Sequence, residues 1–473
     1  MTQLDRWRCA IVKQSLLGLL AATFMVTGQT QASPRPESAL QIQALEVLKR
    51  GIAFRSVEGS HQVPAYAAYL KSLLVAGGYK DSEVIIEPLG ETAFLIARFP
   101  GTDPVAKPIV INGHMDVVEA PREDWVQDPF TAVVEGGWIY GRGAVDNKFD
   151  ISVVVTLLAD LRRRGWKPGR DVILALSGDE ETVMATSAVL AERLKGAEMV
   201  LNTDIGGGSL DAAGKPATYG IQASEKTYAD FEITFTDPGG HSSRPTPGNA
   251  IYRMARALDR IAAFRFPPEA NEVTRGALMA AAPTTPEPYG PALKAFAADP
   301  GDSRAAETLS TDPGFNAAIR TTCVATMISG GHAPNALPQR ARAVVNCRIF
   351  PGTASEQVRQ TLVRVVDDGT ASITRLADGS IDSPASPLRA DVMAALRKAV
   401  DRNHPGLPIV PIQSAGATDS MHFRAAGVPS YGVSGLYIQP GVSFTHGLNE
   451  KAPVAAIPGA LAHWEVLLRE IAK

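Results

Sequence analysis

The sequence predicts an α/β protein in which a mostly parallel sheet is flanked by helices, with a smaller α+β domain inserted into it. Three observations carry that prediction. Short apolar runs alternate with longer helical patterns, the order of a sheet built from crossover units. Clusters of His, Asp and Glu fall just after the apolar runs, where open parallel sheets gather their ligands. From about residue 223 the hydrophobic pattern changes to strict alternation, and the first style returns at about residue 380.

Taken in order, residues 39–53 and 63–77 have helical periodicity, and the second pattern ends at Gly77-Gly78. Strand-like runs follow at 83–87 and 93–99. Next comes Ile109-Val110-Ile111-Asn112, a short apolar strand that stops at Gly113-His114-Met115-Asp116. Residues 150–163 read as a helix, 171–177 (DVILALS) as a buried strand, 184–195 as a helix and 198–202 as another strand. Between 228 and 236, Tyr228, Asp230, Glu232 and Thr234 alternate with Ala229, Phe231, Ile233 and Phe235, which marks a strand with one solvated face. A helix over 248–263, an Ala/Pro-rich stretch over 267–315, strands at 320–328 and 342–350 and a helix over 354–367 complete the insert. An amphipathic helix beyond 380 and strand-like runs at 408–412 and 428–433 return to the first domain. The predicted division is therefore 39–222 plus 380–473 for the larger domain and 223–379 for the insert.

The 473 residues are 45% hydrophobic, ample for large buried cores and against a disordered chain. With 46 basic and 49 acidic residues the net charge is −3, so no basic field favours a nucleic acid partner. Arg6, Arg8 and Lys13 precede the apolar run Leu16 to Val26, and Thr30-Gln31-Ala32 supplies the small residues of a cleavage site. This pattern predicts a signal peptide over residues 1–32 and export to the periplasm or beyond. A membrane-spanning helix needs ~20 apolar residues, and this run is shorter, so no stable anchor is expected after cleavage. Cys323 and Cys347 fall in two predicted strands of the insert, with Asn335 midway between them. A simple hairpin would set them opposite each other, and an oxidising compartment would favour a disulfide.

His114, Asp146, Glu181, Asp204 and His446 are histidines and carboxylates in loops at predicted strand ends. Imidazole with carboxylate suits zinc and its neighbours, whereas an all-oxygen set would favour magnesium or calcium. Three protein ligands and a water satisfy one catalytic zinc. Five candidates suit two ions sharing one carboxylate, and as bare anions at one face they would repel and require a bound cation. In Glu180-Glu181 one carboxylate can hold metal while the other takes a proton from a water. Any one of these acids alone would read as solvated surface; their occurrence at successive, converging strand ends argues for a site. Ser242-Ser243 does not read as a nucleophile, because no Gly-x-Ser-x-Gly elbow occurs. Arg320 and His61, His332, His404, His422 and His463 read as structural.

The segments GHMDVVEAP, WIYGRGAVDNK, SGDEET, NTDIGG, DPGGHSS, NAAIRTTCVATMISGGHAPNALP, VNCRIFPG, GATDS and THGLNE follow in this order over roughly residues 40–473. Together they resemble the two-zinc aminoacylase/carboxypeptidase family, which includes glutamate carboxypeptidase, succinyl-diaminopimelate desuccinylase and carboxypeptidase S. The stretch from NAAIRTT to RIFPG is most similar to the carboxypeptidase S and secreted N-fatty-acyl-amino-acid hydrolase branch. The resemblance implies a fold of the zinc exopeptidase type, with the insert as a lid and dimerisation domain. It implies that Asp146 bridges two Zn2+ per subunit, Co2+ or Mn2+ being other candidates, with Glu181 and His446 on one ion and His114 and Asp204 on the other. Asp116 would orient the His114 imidazole and Glu180 would be the general base. The family often has Asp-Asp across a cis peptide at the bridging position. Here Asn147 follows Asp146, which keeps the ligand and removes a neighbouring charge.

By the same resemblance His241 would reach the partner subunit's site and stabilise an oxyanion. Asn335 and Arg348 would bind the substrate's carboxylate, a task that suits the two-pronged guanidinium. The implied function is hydrolysis of the amide bond between an acyl or aminoacyl group and a C-terminal amino acid, in a small N-acyl amino acid or peptide, by a homodimer joined through the insert. Two alternatives stand beside it. One is a dipeptidase or aminopeptidase acting from the amino end. The other is a non-catalytic periplasmic metal- or peptide-binding protein, which would have no need of Glu180.

Overall fold

The computed structural model describes residues 38–377 and 379–473; the signal peptide expected over 1–32 lies outside them. A ten-stranded sheet organises most of the chain. Its order is Val84–Leu89, Thr92–Phe99, Val172–Ser177, Ile109–His114, Met199–Asn202, Ser430–Gly432, Pro216–Glu225, Gly207–Leu210 and Tyr437–Ile438, with Ile409–Ser414 also paired to Pro216–Glu225. The central neighbours Val172–Ser177, Ile109–His114, Met199–Asn202 and Ser430–Gly432 are parallel, and antiparallel pairs stand to either side.

Side chains alternate across this sheet as the two-residue period requires. Ile109, Ile111, Val172, Leu174, Met199 and Leu201 pack into a core with the helices Ala39–Ile52, Val63–Ala76, Lys148–Arg163, Ala390–Asn403 and Ile457–Ile471. The intervening Val110, Ile173, Ala175 and Val200 face the other way, against Leu190 of Ala185–Arg193 and Phe423 of Ser420–Ala425. Burial of both faces explains why these strands read as unbroken apolar runs. Each fully buried Ile or Leu stabilises the fold by roughly 1.5–3 kcal/mol. Ser38 starts the first helix with a capping box: its hydroxyl accepts from Gln41 N and its own N–H donates to the Gln41 side chain.

A second, antiparallel sheet is ordered Thr322–Gly330, Arg340–Ile349, Thr227–Thr236 and Ser372–Arg375. Ala229, Phe231, Ile233 and Phe235 point to one face and pack on Met254 and Ile261 of Ala250–Ala263 and on Val358 and Leu362 of Ser355–Val366. Cys323 lies directly opposite Cys347 across two antiparallel strands, and the two are disulfide-bonded. The Ala/Pro-rich stretch forms four helices, with Glu272–Ala281, Tyr289–Ala298, Ser303–Leu309 and Pro313–Ala318 gathered on Leu278, Leu293, Phe296 and Leu309. The strand Pro216–Glu225 belongs to the large sheet through Glu225, slightly beyond the predicted change of pattern.

Candidate metal centre

The predicted strand-end clusters converge. His114 closes its strand, Glu180 and Glu181 occupy the turn after Val172–Ser177, and Asp204 lies just past Met199–Asn202. These three strands are parallel neighbours, so their carboxyl ends lie side by side. Asp146 precedes the helix Lys148–Arg163 and is joined to Asn147 by a cis peptide bond; His446 comes from the loop before Lys451–Pro453.

Asp146 stands between two groups. Its Oδ1 is 2.8 Å from His114 Nε2, which is also 3.3 Å from Asp204 Oδ1. Its Oδ2 is 3.1 Å from His446 Nε2, which lies 2.9 Å from Glu181 Oε1. Donor atoms of His114, Asp146 and Asp204 fall within 4.8 Å of one another, as do those of Asp146, Glu181 and His446, and those of His114, Glu180 and Glu181.

Among the described residues, the ion-pair partners of Asp146, Glu181 and Asp204 are the two imidazoles. Hydrogen bonds to Asp146 and Glu181 push His446 up to about 10, against the effect of burial. Burial is the largest influence on Glu180 and lifts its carboxyl well above the ordinary range; His114 opposes the shift, and Asp204, Asp419 and Glu181 reinforce it. The imidazoles thus stand where positive charge is needed. Two nitrogen-and-carboxylate donor sets sharing one aspartate fit a pair of divalent ions of the zinc class.

Asp116 lies between the His114 imidazole and the turn of Glu180 and Glu181. His114 Nδ1 is 3.0 Å from the Asp116 backbone carbonyl oxygen and 3.7 Å from its carboxylate. The carboxylate also accepts from the N–H groups of Glu180, at 3.2 Å, and Glu181, at 2.9 Å, and so fixes the turn that carries both. Asn147 contributes more than a missing charge: its amide donates to Asp204 Oδ1 at 3.2 Å and its oxygen accepts from the Thr203 hydroxyl at 2.7 Å.

The other predicted residues lie outside these donor sets. His241 and Asn335 are exposed on a short ribbon in which Gly240–His241 pairs with Ala336–Leu337, Ser242 N donates to Asn335 O at 3.0 Å and Ser243 N donates to His241 Nδ1 at 3.1 Å. Arg348 is half-buried, donates to Ala415 O at 2.8 Å and lies 4.6 Å from the centroid of the Tyr228 ring. Arg320 is buried and donates to Phe266 O and Ser310 Oγ, as a structural arginine would.

Two acids at the site have no counterpart in the sequence reading. Asp419, in the GATDS segment, accepts from Asn112 Nδ2 at 3.2 Å, from Ser177 Oγ at 2.6 Å and from the Ser187 hydroxyl beneath the strand ends, and burial pushes it up to about 6. Glu450, in the THGLNE segment, is buried against the loop of Asp146. Both lie in segments that carry the resemblance, so a signal was present; their burial was not readable from loops rich in polar residues.

A parallel-centred α/β sheet that brings two imidazole–carboxylate sets onto one aspartate has the donor arrangement of a metal-dependent enzyme. Residues 110–470 match the model of peptidase family M20/M25/M40, and the chain belongs to that family. It is 32% identical over 373 residues to the N-fatty-acyl-amino acid synthase/hydrolase PM20D1 of Homo sapiens, covering 75% of this chain and 72% of that protein. It is 27% identical over 346 residues to a carboxypeptidase S-like protein of Dictyostelium discoideum, covering 70% of this chain and 64% of that one. The crystal structure of the M20 family metallo-carboxypeptidase Sso-CP2 from Sulfolobus solfataricus shares the fold, with a TM-score of 0.68 at 21% identity over 90% of this chain and 98% of that one.

Proposed function

We propose that this chain is an exported two-zinc hydrolase that cleaves the amide bond between an acyl or aminoacyl group and a C-terminal amino acid. The observation that carries the proposal is the placement of Asp146, with one carboxylate oxygen on the His114–Asp204 side and the other on the Glu181–His446 side. These five residues would hold the metal. Bound divalent ions supply positive charge that polarises a carbonyl and acidifies a water. Glu180 is the general base: it is buried, its carboxylate lies within 4.8 Å of the donor atoms of His114 and Glu181, where it can take a proton from that water, and it returns the proton to the departing amine. Asp116 holds the Glu180–Glu181 turn through two backbone N–H groups, so the base and its metal-binding neighbour are fixed together.

On this reading residues 39–222 and 380–473 form the catalytic domain, and residues 223–379 the lid through which two copies associate. Arg348 and Asn335 receive the carboxylate of the C-terminal amino acid, and His241 crosses to the partner subunit's site. The edge strand Thr322–Gly330 supports the association: it is paired on one side, and Val324, Met327 and Ile328 are 59%, 67% and 66% exposed. The Cys323–Cys347 disulfide is in keeping with export. No helix among the described residues is long and apolar enough to cross a membrane. The human relative's name, an N-fatty-acyl-amino acid synthase/hydrolase, agrees with an N-acyl amino acid as substrate. Assaying N-acetyl-Leu, Gly-Leu and Leu-amide side by side with metal-replete protein tests the polarity of the reaction. Cleavage of the first two and not the third is expected; cleavage of Leu-amide would favour the amino-end reading instead.

A further inference from the structure

The two halves of the metal centre are built differently. His114 and Asp204 come from the ends of adjacent parallel strands, and His114 is 1% exposed. His446, by contrast, has a side chain that is 51% exposed and lies in a loop where Phe444, His446 and Asn449 have φ of 55°, 58° and 58°. Side chains rarely adopt this left-handed conformation, so three such residues within six positions must be held by their surroundings.

Glu450 is placed to do the holding. Its side chain is 0% exposed, and its carboxylate takes four donors. Oε1 accepts from Val145 N at 2.8 Å and from Asp146 N at 3.1 Å, while Oε2 accepts from Arg142 Nη1 at 2.7 Å and from Gly143 N at 3.1 Å. Arg142, itself buried, also donates to Gly447 O at 3.2 Å and lies 5.1 Å from the centroid of the Trp125 ring. The main chain closes the same clamp, with Gly141 N donating to Glu450 O at 3.0 Å and Lys451 paired with Tyr140. A single carboxylate thus joins the backbone of the shared aspartate to the loop that presents His446.

We propose that Glu450 is a positioning residue for one half of the centre: it joins Asp146 to the loop of His446, whereas the His114–Asp204 side is set by the sheet. The proposal rests on the two-metal reading above. An ionised carboxylate can satisfy all four donors, because each oxygen accepts two hydrogen bonds. Glutamine has nearly the same shape but turns an NH2 toward one pair of them. Either Val145 and Asp146, or Arg142 and Gly143, would then face a donor and lose their partner.

The test is a Co2+ titration of the full mature protein, read by bound metal after equilibrium dialysis and by visible absorption. Wild type, Glu450→Gln and Glu181→Gln are compared, the last as the reference for damage to the His446 side. Because Asp146 serves both ions, Glu450→Gln is expected to weaken one Co2+ only slightly and the second at least tenfold more than the first, as Glu181→Gln does, while melting cooperatively. If Glu450→Gln does not fold, Arg142→Lys takes its place with the same expected result, since it keeps a cation beside Glu450 and loses the bond to Gly447 O. A wild type that binds two ions, beside a variant that binds both unchanged or weakens both equally, would overturn the positioning role alone. A wild type that binds fewer than two ions would overturn the two-metal reading and this proposal with it.

Discussion

Glu180 and Glu181 are neighbours in the chain with different surroundings. Glu181 Oε1 lies against His446, while Glu180 is buried and pushed toward its protonated form. Glu180→Gln should therefore keep the metal content of wild type and lose about 10²–10⁴-fold in kcat, the usual worth of a general acid–base group. Glu181→Gln should lose metal as well. Metal analysis beside a kinetic assay of both variants checks this, and equal kcat for Glu180→Gln and wild type would remove the base assignment. The five convergent donors were readable because each follows a recognisable strand or motif. The place of Asp116 beside His114 is legible from the motif, but its hold on the N–H groups of Glu180 and Glu181, 64 and 65 residues further on, is not, because it depends on two strand ends meeting in space. Glu450 ends the THGLNE segment, but its four hydrogen bonds to a loop some 300 residues earlier in the chain are not legible from that segment.

Elements with a strong period and a polar stop were legible, and those fixed by long-range packing were not. The strand Ile109–His114 announces itself as an apolar run ended by Gly113-His114. The helices between 272 and 318 are short, and three of them are capped by Asn271, Asp302 and Asp312, residues that equally signal turns. The C-terminal helix Ile457–Ile471, absent from the sequence reading, carries His463, which lies fully buried with Nε2 3.1 Å from the Tyr219 hydroxyl. Burial pushes this imidazole down to about 3. The folded protein keeps it neutral while the unfolded chain protonates it, so its contribution to stability is complete above an ordinary histidine pKa of about 6.5 and is lost as pH falls toward the folded value. Urea unfolding of metal-free protein between these limits should show a steeper acid loss for wild type than for His463→Gln, by up to ~1.4 kcal/mol per pH unit for one proton. Identical slopes would mean that His463 is protonated in the folded state.

At the scale of the whole molecule, the sequence pattern foretold a large sheet and a separate alternating sheet, and both are present. The strand order within them depends on pairings such as that of Ser430–Gly432 with Met199–Asn202, which no local signal specifies. The exposed edge strand Thr322–Gly330 and the exposed His241 lead to a prediction about assembly. Glu180→Gln protein and His241→Ala protein, each inactive alone, should regain activity when mixed, because a mixed dimer holds one site with both residues intact. Mixed dimers that form and recover nothing would dismiss the cross-subunit role, and a fully active monomer in sedimentation would dismiss the dimer.

If two ions shared through Asp146 make this chain an amide hydrolase, adding Zn2+ to metal-free protein will restore hydrolysis of N-acetyl-Leu in step with bound metal, both followed in the same samples. Binding should saturate at two ions per chain, with activity absent from metal-free protein and complete at saturation. Saturation at one ion, or hydrolysis that persists without metal, would contradict it.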